Sequence, residues 1–212
     1  QAKAGMKLHQ FVIGENTNLD LGEYIIGDDD IENGCCRVKL SYYTADVALW
    51  DVDSPNLYEI TTELICNNTI IDSKVTRYGY RKAVFKKDGF YLNGRKLKIR
   101  GLNRHQSYAY VGYAMPESMQ KLDADILKNE LGLNAVRTSH YPNQSMWIRL
   151  CDEYGIYMIE ETNLETHGTW CSGELTKANY QVPGSKPEWT KAVLERAEHM
   201  VLRDKNHPAI LL

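Results

Sequence analysis

The sequence predicts a multidomain chain in which part of an immunoglobulin-like β-sandwich is followed by the first three βα units and the fourth strand of a (β/α)8 TIM barrel. Up to about Arg81 the segments are β-branched and aromatic with a period of two, whereas after Arg95 short apolar strands alternate with amphipathic helical stripes. The third observation is positional. Candidate polar residues follow the C-terminal ends of several strands, which is where a barrel builds its active site. The expected division is 1–83 for the sandwich part and 84–212 for the barrel part.

In the first part, strands are expected over Lys7–Ile13, Arg37–Tyr43, Leu57–Ile65 and Ile70–Tyr80, with Asp20–Ile26 as a weak fifth. In the third of these Tyr58, Ile60, Thr62 and Leu64 share one face and Glu59, Thr61 and Glu63 the other, as in a sheet with one wet side. The count falls below the roughly seven strands of a complete sandwich, so N-terminal strands are expected to be missing. Asp88-Gly89 and Asn93-Gly94 then signal tight hairpin turns around Phe90–Leu92, at the junction of the two parts.

In the second part the expected strands are Leu97–Leu102, Leu133–Thr138, Ile156–Glu160 and Ala209–Leu212. A helix opens at Pro116 as a first-turn residue and closes before Gly132. The next buries Met146, Trp147, Leu150, Cys151 and Tyr154 as one stripe and stops at Gly155. A third opens near Pro187 with Trp189, Val193, Ala197, Met200 and Val201 inward, while Glu195, Glu198 and Asp204 form its wet face. This βαβαβαβ order requires a parallel sheet, and both an open doubly wound sheet and a barrel satisfy it. Polar residues contributed by several strand ends favour the barrel, and the lack of a glycine-rich phosphate loop after the first strand argues against nucleotide binding.

The 212 residues carry a net charge of −3, and no Lys/Arg run stands out, so neither nucleic acid nor an anionic membrane is an expected partner. No apolar run approaches the roughly 18 residues that span a bilayer. Five cysteines form an odd set without a CxxC spacing, which fits reduced thiols and a cytoplasmic location better than a disulfide framework.

The most informative stretch is IYMIEETNLETHG, Ile156 to Gly168, where an apolar strand runs straight into Glu160, Glu161, Asn163, Glu165 and His167. Acidic groups and an imidazole at a buried strand end are costly to desolvate and usually have a chemical reason. Glu165 and His167, two apart in an extended segment, point the same way toward one metal ion or one sugar. Asn103, Arg104 and His105 follow the first barrel strand; Ser139 and His140 follow the second. Arg104 has two readings, structural ion pair or site residue. His105 and His140 either meet a ligand or hold their loops. Arg137, inside an otherwise apolar strand, is expected to be buried and paired with a carboxylate. His9, His199 and His207 are expected away from the rim. Absence of HExxH and of a close histidine pair weakens a zinc hydrolase, and a hard cation held by Glu165, His167 and water is the easier metal reading.

These segments carry a family pattern. GLNRH (Gly101–His105), LNAVRTSHYP (Leu133–Pro142), LCDEYGIY (Leu150–Tyr157), ETNLETHG (Glu161–Gly168) and RDKNHPAILL (Arg203–Leu212) resemble glycoside hydrolase family 2, and LWDVDSPNLYEI and RYGYR resemble the end of the immunoglobulin-like domain that precedes its barrel. The resemblance implies a retaining exo-β-glycosidase acting on terminal β-D-galactosides. It implies that His105 and His140 contact sugar hydroxyls, that Arg137 supports the nucleophile carboxylate, that Asn103 belongs to the same substrate-side set, and that Glu165 with His167 helps hold Mg2+. It further implies a homo-oligomer as the full-length protein. The loop Gln106–Tyr113 departs from relatives that carry further histidines or acids there.

The same resemblance assigns no catalytic residue to this chain: the acid/base and nucleophile glutamates are expected after Leu212. Retaining hydrolysis needs two carboxyl groups about 5 to 5.5 Å apart, and Glu160, Glu161 and Glu165 are not given those roles. Three βα units and a fourth strand cannot close a barrel, so the chain is expected to be an inactive excerpt of a longer polypeptide that is not stable alone. Two alternatives stand beside the galactosidase: a β-glucuronidase of the same family, and a non-catalytic carbohydrate-binding module in which Trp170 or Tyr110 stacks on the sugar.

Overall fold

The computed structural model describes residues 3–43, 47–167, 183–184 and 186–212. They fall into two compact units, Gln1–Trp50 with Asn56–Tyr80 and Asp51–Pro55 with Arg81–Leu212.

The first unit is built on β1 (Lys7–Gly14), β2 (Thr17–Ile25), β5 (Tyr58–Cys66) and β6 (Thr69–Tyr78), an antiparallel sheet in the order β2-β1-β5-β6. The segment expected to be a weak strand is nine residues long, Thr17–Ile25, and pairs along the whole of β1. Short β3 (Ile31–Glu32) and β4 (Cys35–Cys36) pair with each other. Arg37–Tyr43 is not a strand, contrary to its apolar alternation. Val38 and Leu40 instead line a concavity of about 460 Å³ with Leu8, Thr62 and Leu64, so their side chains are used without a backbone ladder. Val12, Ile26, Trp50 and Tyr58 form the buried core, with Tyr80 set edge-on to both Tyr58 and Tyr78 at about 5 Å.

The second unit opens with an antiparallel ribbon of β7 (Ala83–Lys86), β8 (Gly89–Leu92) and β9 (Arg95–Leu97). Asn93 and Gly94 both take positive φ, 50° and 85°, the left-handed pair that a two-residue hairpin turn requires. The expected strand Leu97–Leu102 is divided: Leu97 ends the ribbon, and a new strand, β10 (Gly101–Arg104), starts after the chain changes pairing partners. β10, β11 (Ala135–Thr138) and β12 (Tyr157–Ile159) form a parallel sheet in that order, with Asn103, Arg137 and Ile159 on one rung. Ala209–Leu212 runs parallel beside β12: Met158 N–H donates to Ala209 O at 2.8 Å, Leu211 N–H to Met158 O at 2.8 Å and Glu160 N–H to Leu212 O at 3.0 Å.

α1 (Glu117–Asp125) follows β10 with Pro116 as its extended N-cap rather than its first helical residue, and widens into a π turn over Ile126–Glu130. α2 (Ser145–Tyr154) buries Trp147, Ile148, Leu150 and Cys151, close to the stripe expected. It stops at Gly155, whose φ is +66° and whose Cα leaves no space for a Cβ against the Val52 carbonyl. α3 (Thr190–Asp204) departs most from expectation. Val193, Ala197 and Met200 are half-buried, but Trp189 and Val201 are exposed, since no described element packs closely along that side. Asp204, expected on the wet face, is buried because Arg203 folds over it with Nε at 2.8 and 2.7 Å from its two oxygens.

Candidate active-site rim

The parallel register decides which side chains meet. Buried Val136 and Met158 occupy the opposite parity from Asn103 and Arg137, so the polar pair shares the other face of the sheet. Just past the strand ends, β10 supplies His105, β11 supplies His140, and β12 runs on into Glu160, Glu161 and Glu165.

All of these except Glu160 converge. The rings of His105 and His140 lie 5.6 Å apart, edge to face. His140 Nδ1 is 2.8 Å from Glu161 Oε1 and 3.7 Å from Glu165 Oε2, and His167 Nδ1 is 3.8 Å from Glu165 Oε1. Arg137 Nη2 lies 2.8 Å from Glu161 Oε2 and 3.3 Å from His140 Nδ1. The first of these meets the distance of an ion pair, yet the N–H is not aligned on the oxygen, which leaves buried Glu161 Oε2 without a hydrogen-bond donor. Arg137 is paired with a carboxylate as expected, but its side chain is 40% exposed and not buried, because its face of the sheet, covered at Ala135 and Tyr157, is open at the strand ends where Asn103 is also exposed.

Glu161 stands out in the sequence with Glu160 and Glu165, but sequence reasoning gives it no role at the rim. It lies two positions beyond Ile159, on the rung of Asn103 and Arg137, so strand parity carries it toward the same face. Its backbone N–H donates to Thr138 Oγ1 at 3.0 Å, locking the end of β12 to the end of β11. Ligand atoms of His140, Glu161 and Glu165 lie within 4.8 Å of one another. Two carboxylates, one bearing an unaligned oxygen, make a donor set suited to a hard divalent cation with water completing its shell. His167 lies at the edge of this cluster, mostly exposed, and Trp170 lies outside the described residues. Tyr110 is fully exposed.

The loop carrying His140 is held from beneath. Asn143 is buried; its Oδ1 accepts from Arg104 Nη1 at 2.6 Å, its backbone carbonyl accepts from Arg203 Nη2 at 3.1 Å, and its Nδ2 donates to Tyr141 O at 3.2 Å. Arg104 resolves to the structural reading. It stacks 3.7 Å over Trp147 and donates to Asp123 at 2.9 Å, and burial pulls its pKa down with Asp123 opposing that shift. Tyr141 places its hydroxyl 3.0 Å from the Gln106 N–H, which donates to it, and 3.5 Å from His105 Nδ1. Glu160 turns away from the rim into a buried cluster with Asp204, both facing Arg203. Burial first, then the neighbouring Asp204, pushes the Glu160 carboxyl up to about 8, while Arg203 works against the shift. His9 pairs with Asp20 and Glu63 within the first unit, and His207 pairs with Asp152 within the second.

Polar residues gathered past the ends of parallel strands are the arrangement in which a barrel enzyme builds its active site, and comparison with known proteins identifies the family. Residues 83–212 match the TIM barrel domain of glycosyl hydrolases family 2 and residues 17–81 match the glycosyl hydrolases family 2 model. The chain therefore belongs to glycosyl hydrolase family 2. It is 51% identical over 167 residues to a β-galactosidase of Thermoanaerobacterium thermosulfurigenes, covering 79% of this chain and 21% of that protein. It is 38% identical over 186 residues to a β-galactosidase of Streptococcus thermophilus, covering 88% and 18%. Among solved structures it is similar to a β-glycosidase from Bacteroides vulgatus (TM-score 0.73, 29% identity, 100% of this chain and 25% of that one) and to β-glucuronidase 2 of Bacteroides uniformis (TM-score 0.79, 25% identity, 97% and 23%). The chain spans about a fifth of the length of the curated relatives it matches. No helix among the described residues is long and apolar enough to cross a membrane.

Proposed function

We propose that this chain forms the sugar-binding side of a retaining exo-β-glycosidase that hydrolyses terminal β-D-galactosides by double displacement. The observation that carries the reading is the convergence of His105, His140, Glu161 and Glu165 from three successive strand ends. The 51% identity to a β-galactosidase supports the galactoside. Imidazoles and carboxylates at hydrogen-bond spacing suit the hydroxyls of one pyranose, a neutral ligand. Double displacement requires two further carboxyl groups about 5 to 5.5 Å apart; in this reading they lie beyond residue 212, and the barrel strands counted here are its first four.

Mg2+ fits the rim in this reading. Glu161 and Glu165 supply oxygens, with His140 and His167 at their side, and the cation would contribute fixed positive charge that orders the carboxylates and attracts sugar oxygens. His105 and His140 hold and orient the sugar, and Arg137 holds Glu161 in place. The full-length enzyme is expected to be a cytoplasmic homo-oligomer.

β-Glucuronidase is the second reading, favoured by the solved β-glucuronidase of similar fold. A glucuronide carboxylate calls for an unengaged cation, and Arg137 is already against Glu161. The test compares kcat/KM of a polypeptide carrying the whole chain and its two further carboxylates on chromogenic β-galactoside and β-glucuronide. Preference for the galactoside with retained anomeric configuration is expected. Preference for the glucuronide supports the second reading, and sugar binding without turnover of either substrate supports a binding module.

A further inference from the structure

At the opposite end of the parallel strands lies a second concavity, of about 500 Å³, with a different chemistry. Arg95, Lys96, Lys98, Arg100 and Lys128 line it against a single carboxylate, Asp53, in a chain whose net charge is −3. Its walls include Arg100 and Asn134, which immediately precede β10 and β11. It is thus separated from the sugar rim by the length of those strands, four residues at about 3.3 Å each.

Local ion pairs do not neutralise it. Arg95 lies 2.7 Å from Asp51 and 2.9 Å from Asp53, and Lys96 lies 3.3 Å from Asp88. Lys98, Arg100 and Lys128 have no carboxylate within ion-pair distance among the described residues. Like charges gathered in one concavity repel each other unless an anion occupies it. Lys128 is half-buried and spends two donors on the carbonyls of Val52 and Gly155; burial pulls its pKa down, and Asp53 and Asp51 offset that only in part, so a bound anion would relieve the remainder.

The backbone is fixed in advance. Asn134 Oδ1 accepts from Arg100 N–H at 2.8 Å, its Nδ2 donates to Lys98 O at 3.0 Å, and its own N–H donates to Arg100 O at 3.0 Å. The stalks of Lys98 and Arg100 therefore leave a rigid segment. Gly132 on the wall has open space where a Cβ would stand. Planar guanidinium forks beside lysine point charges form the donor set that recognises phosphoryl oxygens.

We propose that this concavity is an anion site for a small diphosphate- or triphosphate-bearing molecule, separate from the sugar rim. The probe is inorganic pyrophosphate, titrated calorimetrically into a polypeptide carrying the whole chain at constant ionic strength. Saturable binding is expected, weakened about tenfold or more in Lys98→Gln/Arg100→Gln, together with a rise in Tm that matched sodium chloride does not reproduce. If the double variant fails to fold, Lys98→Gln alone carries the test, because that side chain is exposed. Undiminished affinity in the variant overturns the site. So does an equal Tm rise in chloride, or tighter binding of a polyglutamate peptide than of pyrophosphate, which would make the face a protein-docking surface.

Discussion

Asn143 accepts a hydrogen bond from the buried Arg104 guanidinium at 2.6 Å. Through that contact a side chain from β10 sets the loop that follows β11. Asn143→Ala leaves Arg104 with an unsatisfied buried N–H. Urea unfolding is expected to show a loss of about 2 to 3 kcal/mol, and Asn143→Asp, which keeps an acceptor, is expected to lose less. A loop held some other way would make the two variants alike.

The Glu160 cluster sets a pH dependence. Its carboxyl is raised in the folded state above its unfolded value, so the folded protein binds the proton more tightly, and the favourable contribution is full at acid pH. It is lost progressively as pH rises from the ordinary carboxylate range through about 8. Thermal unfolding across this window is expected to fall with pH, and Glu160→Gln is expected to flatten the slope. An unchanged slope assigns the dependence to other groups.

Gly155 closes α2 at φ +66° against the Val52 carbonyl. Gly155→Ala combines a left-handed backbone with a collision, at an expected cost of about 1 to 3 kcal/mol in chemical denaturation. At Gly132, also left-handed but with open space, the same substitution is expected to cost less. Equal losses would assign the whole effect to backbone conformation.

If Glu161 and Glu165 hold a divalent cation, Glu161→Gln and Glu165→Gln each weaken Mg2+ binding about tenfold or more. Calorimetry with Mg2+ alone reads this without substrate. The effect of His167→Ala is expected to be smaller, since His167 is at the margin of the cluster.

Local chemistry made some elements legible: the Asn93-Gly94 turn and the Gly155 stop both follow from which residues tolerate positive φ. Strand-end logic likewise located His105 and His140, whose rings meet. Where tertiary partners decide, the sequence was silent. Arg37–Tyr43 alternates like a strand, but Val38 and Leu40 find a concavity to fill and their backbone forms no ladder. The run Leu97–Leu102 reads as one strand because pairing partners leave no mark on it, and the structure divides it between two sheets. Asp204 has the helical phase of a solvated residue, and only Arg203 folding back hides it. Glu161 was legible in principle from its parity with Arg137, once the register of β11 and β12 was known.

The shared rung of Asn103, Arg137 and Ile159 makes this region far less forgiving of length changes than of spelling changes. A conservative replacement alters one group, whereas inserting or deleting a single amino acid ahead of Arg137 would trade every inward position of that strand for its outward neighbour. Related genes should therefore vary freely in the identity of many residues here while keeping the count between Gly132 and His140 constant.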